Sequence, residues 1–280
     1  MRTSIPFALN HMSAPGLDCR SFIDLAAGLD CLGVELRNDL SDKKLSDRPF
    51  FDGEDPATIG AYARERGIRI LGLSEAYGFN NWNPQMAEKV RLLIAQAATS
   101  GAESISLIPR NDAPVQTASA RAGNLRTALA AILPMIADAG IIALIEPLGF
   151  TTSSLRYKRE AVEAIEAVGG EKSFRLVHDT FHHHLAEEVE YFPEYTGIVH
   201  ISGVVDPALA VDEMRDEHRT LVDDRDRLGN VAQIRTLIGL GYEGAFSFEP
   251  FSPVVHALSD PVAEFRRSFD HIRSAASWSL

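Results

Sequence analysis

The sequence predicts an α/β protein that folds as a single (β/α)8 barrel. Eight short runs rich in Ile, Val, Leu and Phe alternate with longer amphipathic segments along the 280 residues. Each strand–helix unit would therefore take about 35 residues, which matches the spacing of such barrels. No linker or low-complexity segment divides the chain, so we expect residues 1–280 to form one domain.

The competing architecture is a doubly wound open sheet. That fold would place a glycine-rich phosphate-binding turn, G-x-G-x-x-G, directly after an early strand. The segment that follows the first apolar run reads NHMSAPG, residues 10–16, and lacks this pattern. The barrel is therefore favoured over the open sheet.

The eight apolar runs are the predicted strands. Their residues are almost continuously apolar rather than alternating, as expected of parallel strands that are buried on both faces. The runs occupy residues 5–9, 32–36, 68–73, 104–108, 141–148, 174–179, 197–202 and 245–250.

The amphipathic segments between these runs predict helices. Most of them end at a glycine, which favours the left-handed conformation that closes a helix. Pro134 lies inside one of them and predicts a kink there. The predicted helices occupy residues 56–67, 84–101, 120–140, 158–170, 231–241 and 260–278.

Three connections that follow predicted strands are long. They cover residues 37–56, 74–83 and 203–230, whereas the connections that lead from helices back to strands are mostly one or two residues. Barrel enzymes build their active sites from the loops at the carboxyl ends of the strands. This asymmetry predicts an enzyme.

Composition excludes some classes of partner. The chain has 27 basic and 39 acidic residues, a formal net charge of −12, and no Lys/Arg run of the kind that binds nucleic acid or a membrane surface. Cys19 and Cys31 do not form a metal-binding spacing, and we expect two unpaired thiols of a reducing cytosol. With no apolar run long enough for a signal peptide or membrane span, we expect a cytoplasmic protein that acts on a small molecule and that could form a homo-oligomer.

Four polar residues lie at or near the ends of four successive strands. Glu146 follows the fifth apolar run, Asp179 ends the sixth, His200 lies in the seventh and Glu249 ends the eighth. The carboxyl ends of barrel strands converge on one mouth, where three carboxylates without a cation would repel one another. Mixed oxygen and nitrogen donors suit a divalent ion such as Mn, Zn, Co or Mg. These four residues are the predicted metal ligands.

The stretch HDTFHHH, residues 178–184, places four histidines beside this set. His178 precedes the strand-end aspartate, so strand alternation turns it away from the mouth. His182 can reach the mouth from the following loop and is a predicted substrate contact. His184 is a second candidate, and His183 is expected in solvent.

With these features the sequence resembles the xylose-isomerase-like barrel superfamily of sugar isomerases and epimerases. The matching features are the strand-end Glu146, the aspartate–histidine motif DTFHHH (179–184), His200 and the final strand-end Glu249. Within the superfamily the motifs are most similar to those of keto-inositol isomerases. The turn LVDDRDRLGN, 221–230, departs from the Pro-Gly-rich turn of many relatives, so the loop that it forms must differ.

The resemblance implies chemistry at one divalent ion, with Glu146 and Glu249 as the acid–base pair that moves a proton through an enediol of a keto-inositol or ketose. Which glutamate takes the first proton does not follow from the sequence. Further implied substrate contacts are His182 and Arg219, the latter in DEHR. Glu35, in the weaker match ELR, and Trp82, beside the weaker match FNN, are candidates of the same kind.

Three other functions are compatible with this fold. A dehydratase of the 3-dehydroshikimate type would use a similar site and release water. An endonuclease-like barrel for abasic DNA would carry more metal ligands, and the negative net charge disfavours it. A non-catalytic sugar-binding barrel would have a broken ligand set, whereas all four ligands are present here.

Overall fold

The computed structural model describes residues 5–112 and 116–276. Eight parallel strands pair in chain order, and the first pairs with the last, which closes the barrel. The predicted (β/α)8 fold is confirmed. The strands are β1 Phe7–Asn10, β2 Gly33–Arg37, β3 Arg69–Tyr77, β4 Ser104–Ile108, β5 Ile142–Ile145, β6 Phe174–Asp179, β7 Thr196–Ile201 and β8 Phe246–Phe248.

Helices surround the barrel and begin at the positions that capping chemistry favours. The side chains of Asp18, Asn83 and Thr117 each accept a hydrogen bond from a backbone N–H of the first helical turn. The helices are α1 Cys19–Gly28, α2 Pro56–Glu65, α3 Pro84–Ser100, α4 Ala118–Ala139, α5 Lys158–Ala167, α6 Thr180–Leu185, α7 Asn230–Gly239, α8 Pro253–His256 and α9 Pro261–Ala276.

The structure differs from the sequence prediction in two places near the barrel mouth. β3 continues to Tyr77, so the first residues of the predicted loop 74–83 are strand. Residues 180–185 form the short helix α6 rather than a loop, because the Asp179 carboxylate caps their first N–H groups. Pro134 lies inside α4, which continues to Ala139.

The strands are apolar throughout because both of their faces are covered. All four residues of β1 and all five of β4 are buried, with barrel side chains on one face and helices on the other. The thiols of Cys19 and Cys31 are buried and unpaired, as predicted. None of the helices in the described ranges is long and apolar enough to span a bilayer.

The register of the last three strands aligns the candidate site. Asp179 in β6 pairs with His200 in β7, and His200 pairs with Ser247 in β8. Glu249 follows β8 directly, and Glu146 follows β5 directly. The four predicted ligands therefore lie at the same edge of the barrel.

Candidate metal centre and active site

The structure brings together the four side chains that were predicted from the strand ends. One ligand atom from each of them lies within 4.8 Å of the others. All four residues are at most 5% exposed, so their charges are removed from water. No other group of three or more potential ligands occurs in the ranges 5–112 and 116–276. The set is Glu146, Asp179, His200 and Glu249.

His200 is oriented by a carboxylate on its far side. Its Nε2 lies 3.1 and 3.2 Å from the two carboxylate oxygens of Glu35, and Ser247 Oγ donates to the same carboxylate at 2.5 Å. The opposite ring nitrogen, Nδ1, lies 3.2 Å from Glu249 Oε2 and 3.6 Å from Glu146 Oε1. Nδ1 is buried and makes no hydrogen bond to any described residue.

Glu35, a predicted substrate contact, lies against His200 in this structure. Glu35 is fully buried, and its two carboxylate oxygens face His200 and Ser247 rather than the mouth. Strand alternation points Glu35 into the barrel. Its role is to hold the imidazole of His200 in place.

Asp179 performs two tasks with its two oxygens. Oδ1 accepts hydrogen bonds from the backbone N–H groups of Phe181 at 2.7 Å and His182 at 3.2 Å, which caps α6. Oδ2 accepts from Arg219 Nη2 at 2.6 Å and lies 4.0 Å from His200 Nδ1. Asp179 therefore caps α6 with one oxygen and belongs to the four-residue cluster with the other.

The two glutamates of the set have different surroundings. Glu249 accepts from Arg37 Nη1 at 2.7 Å and from Arg219 Nη2 at 3.0 Å, one guanidinium on each oxygen. Burial opposes ionisation of Glu249, but His200, Arg219 and Arg37 hold its pKa far below its usual range. Glu146 has no guanidinium within ion-pair distance in the described chain. Burial, followed by the charge of Glu249, raises the pKa of Glu146 to about 7.

Arg37 was quoted in the ELR match but was not predicted to be a site residue. Its guanidinium is buried and binds Glu249, both oxygens of Asp39, and Glu75 at 3.2 Å. The sequence feature that could have identified Arg37 is its position two residues after Glu35 on one strand, which turns both side chains to the same face. A buried arginine in a strand requires a carboxylate partner, but the sequence does not say which one.

His182 and Arg219, the predicted substrate contacts, lie beside the cluster. His182 is 5% exposed; its Nε2 is 3.9 Å from Glu146 Oε1, and its Nδ1 has no hydrogen-bond partner among the described residues. Burial lowers the pKa of His182, so the ring is neutral near pH 7. Arg219 is 1% exposed and is held by Ser202 Oγ at 2.9 Å and by the ring of Phe251.

The remaining candidates lie elsewhere. Trp82 is half-buried and packs against the hydrophobic core. His183 is not in solvent: it is buried, and its Nδ1 lies 2.8 Å from Lys158 Nζ. His178 faces away from the mouth, as expected, and its Nε2 pairs with Gln233 Oε1 at 2.9 Å. His183 is buried because residues 180–185 form a helix, which turns its side chain inward beside α5.

The donor set fits a divalent metal ion. Three carboxylates and one imidazole converge, and the free Nδ1 of His200 is directed at the carboxylate oxygens. A buried ring nitrogen without a hydrogen bond is costly, and a cation at this position would remove both that cost and the carboxylate repulsion. Glu146, Asp179, His200 and Glu249 would hold the ion, and Glu35 would support the histidine ligand from behind.

The fold and this cluster define a (β/α)8 barrel with a candidate metal site at the carboxyl ends of β5 to β8. The sequence matches the profile of the xylose isomerase-like TIM barrel family over residues 23–275. The chain belongs to that family. No curated protein gives a significant sequence match.

Solved structures of similar proteins cover almost the whole chain. A xylose isomerase domain containing protein from Salmonella typhimurium LT2 is 29% identical, with a TM-score of 0.82 over 96% of this chain and 95% of that one. The IolI protein with a bound zinc atom is 16% identical, with a TM-score of 0.83 over 99% and 100%. D-Psicose 3-epimerase from Clostridium cellulolyticum H10, solved with D-tagatose, is 14% identical, with a TM-score of 0.68 over 97% and 96%.

Proposed function

We propose that this protein is a divalent-metal-dependent isomerase or epimerase of a small polyhydroxy ketone, with a keto-inositol as the first substrate to test and ketoses as the next. The observation that carries the proposal is the buried set of three carboxylates and one imidazole at the barrel mouth, with two glutamates in different surroundings. Its family membership and the zinc atom in the IolI structure support it. A cytoplasmic location and a homo-oligomeric state remain predictions from the sequence.

We propose different tasks for the two glutamates, which their contacts support. Glu249 is fixed by Arg37 and Arg219, so its carboxylate stays in place while a substrate binds. Glu146 has no such partner, so its carboxylate is the freer of the two to accept a proton from a substrate carbon. Glu249 would take the proton of the adjacent substrate hydroxyl and pass it to the carbonyl oxygen, and Glu146 would then deliver its own proton to the neighbouring carbon.

Two further side chains can hold substrate oxygens. The neutral ring of His182 lies beside Glu146, and its Nδ1 is free to bond a hydroxyl. The guanidinium of Arg219 lies beside Asp179 and Glu249 and can stabilise negative charge on an enediol oxygen. A bound divalent ion would supply Lewis-acid polarisation of the carbonyl.

Turnover in D₂O tests this proposal. The metal-loaded enzyme is incubated with a keto-inositol and a panel of ketoses, and products are followed by NMR and mass spectrometry. We expect deuterium at the carbon next to the carbonyl with an unchanged oxygen count. Product without solvent deuterium at any conversion favours a hydride shift or a proton that is fully shielded from solvent. Product lighter by one water assigns a dehydratase of the 3-dehydroshikimate type instead, and binding without turnover assigns a sugar-binding barrel.

A further inference from the structure

We propose that the substrate carries a second, neutral polyhydroxylated ring, and that a cavity beside the metal centre binds this ring. The cavity has a volume of about 790 Å3 and is formed by segments that follow β5 and β7, residues 149–152 and 211–217, together with the end of α6. This inference rests on the proposed function and extends it from a monosaccharide or inositol to a glycoside of such a ring.

The cavity adjoins the substrate-binding side chains but not the metal ligands. The ring of Phe150, in its wall, contacts the ring of His182 edge to face at 5.2 Å between centroids. Asp216, also in its wall, accepts a hydrogen bond from Arg219 Nη1 at 3.3 Å. None of the four cluster residues lines it. His182 and Arg219 therefore each contact both the cluster and the wall of this cavity.

The size of the cavity exceeds the needs of one ring. Ligand pockets commonly measure about 300 to 1,000 Å3. At about 30 Å3 for each water-sized group, a polyol of twelve heavy atoms takes at most roughly 360 Å3. The cavity of about 790 Å3 is therefore large enough for one such ring, while the reacting group lies at the cluster outside it.

The chemistry of the wall selects a neutral, hydroxyl-rich group. Four carboxylates and two arginines line the cavity, and one of the carboxylates, Asp216, is paired with Arg219, so the acidic groups remain in excess. Each lining arginine also donates to a backbone carbonyl: Arg156 to Gly149 at 2.9 Å and Arg215 to Met214 at 2.7 Å. The excess of carboxylates accepts hydrogen bonds from hydroxyl groups and repels phosphate or carboxylate substituents. The acidic residues are Glu187, Asp212, Asp216 and Glu217.

Binding of neutral and anionic ketose derivatives tests the inference. The probes are D-fructose, its 3-, 4- and 6-linked glucosyl disaccharides, and D-fructose 6-phosphate, measured by isothermal titration calorimetry on the metal-loaded enzyme. We expect at least one disaccharide to bind about tenfold more tightly than fructose, since ordered contacts to a second ring add to affinity. We expect the phosphate to bind no more tightly than fructose.

A matched pair of variants locates the second ring. Thr151→Trp fills the cavity from an exposed position in its wall, and Thr58→Trp is the control at an exposed position of α2, beside the opposite part of the barrel. The first variant should remove the advantage of the disaccharide without weakening fructose, and the second should change neither.

Equal affinities for fructose and all three disaccharides overturn the inference, as does a Thr151→Trp effect that is the same for fructose and disaccharide. Tighter binding of the phosphate than of any disaccharide overturns the assigned ligand charge. These readouts are independent of turnover. Isomerisation of a monocyclic substrate with no gain from a second ring would leave the proposed function intact and reject only this subsite. Selective disaccharide binding without deuterium incorporation would support the subsite and contradict the proposed function.

Discussion

Glu35 lies behind His200, with its carboxylate oxygens 3.1 and 3.2 Å from the Nε2 atom of the imidazole. This contact fixes the proton of the ring on Nε2 and leaves Nδ1 to face the carboxylates of the cluster. The pair joins β2 to β7 across the barrel interior, and both residues are at most 1% exposed. The orientation of the only nitrogen donor in the set therefore depends on a residue outside the set.

Replacing Glu35 with Gln should weaken metal binding without unfolding the barrel. Partners that orient a ligating histidine typically contribute about 10- to 100-fold to metal affinity, because they hold the ring and raise its basicity. The measurement is competition for Zn²⁺ or Mn²⁺ against a chelator, with circular dichroism to monitor folding. Glu54→Gln, on the surface, is the matched control. An unchanged affinity in Glu35→Gln would show that His200 needs no support.

Asp179 should be required for metal binding through its charge and not only through its helix cap. Asp179→Asn keeps an oxygen that can accept the N–H groups of α6, whereas Asp179→Ala removes the cap as well. We expect both variants to lose metal occupancy, and the Ala variant alone to lose about 1 kcal/mol from the missing cap. Elemental analysis and urea unfolding separate the two effects. Full metal occupancy in Asp179→Asn would remove this residue from the ligand set.

Replacement of either glutamate with Gln should abolish turnover. A general acid or base typically contributes about 10²- to 10⁴-fold to the rate. Glu146→Gln should also retain binding of a substrate analogue, since Glu146 makes no ion pair with a guanidinium in the described chain. Glu249→Gln leaves Arg37 and Arg219 with a weaker partner. Turnover numbers and analogue affinities are the measurements, and activity within about threefold of wild type in either variant excludes that residue from proton transfer.

Arg37 should contribute far more to stability than an exposed arginine with a similar ion pair. Arg37→Gln leaves Glu249 and Asp39 buried with less compensation, at a cost of about 3 to 5 kcal/mol. Arg20→Gln breaks the solvent-exposed pair with Glu54 and should have only a small effect. Urea unfolding of both variants compares them directly. Similar free energies of unfolding for the two variants would contradict a stabilising role for the buried network.

His11 should make the protein less stable in acid. Its ring is buried against Phe22, and burial lowers its pKa from 6.5 to about 4, although its hydrogen bond to Leu17 opposes the shift. The unfolded chain binds the proton first, so stability contributed by the neutral ring is present above pH 6.5 and is lost as the pH falls toward 4. The loss amounts to about 3 kcal/mol in that interval.

His11→Gln tests this dependence because glutamine can still donate to Leu17 and does not titrate. Urea unfolding between pH 7 and pH 4 should show a smaller loss of free energy in the variant than in wild type. Parallel pH dependences of the two proteins would show that His11 does not titrate on unfolding.

The sequence determined the barrel and the membership of the four-residue set. Eight continuous apolar runs at regular spacing can be buried on both faces only as a closed or doubly covered parallel sheet. A carboxylate or imidazole at the end of such a run has to lie where neighbouring strand ends converge. Glu146, Asp179, His200 and Glu249 could be identified for that reason, without any knowledge of distances.

Tertiary structure decided what surrounds the set. Glu35 and Arg37 come from β2, and their partners His200 and Glu249 are more than 160 residues away in sequence. The strand pattern gives the face of each side chain but not its height along the barrel axis, because height depends on the stagger of paired strands. The contact of Glu35 with His200 and Ser247 could therefore not be read from its place on the strand. The different surroundings of Glu146 and Glu249 arise only from which guanidinium groups the closed barrel brings to each carboxylate.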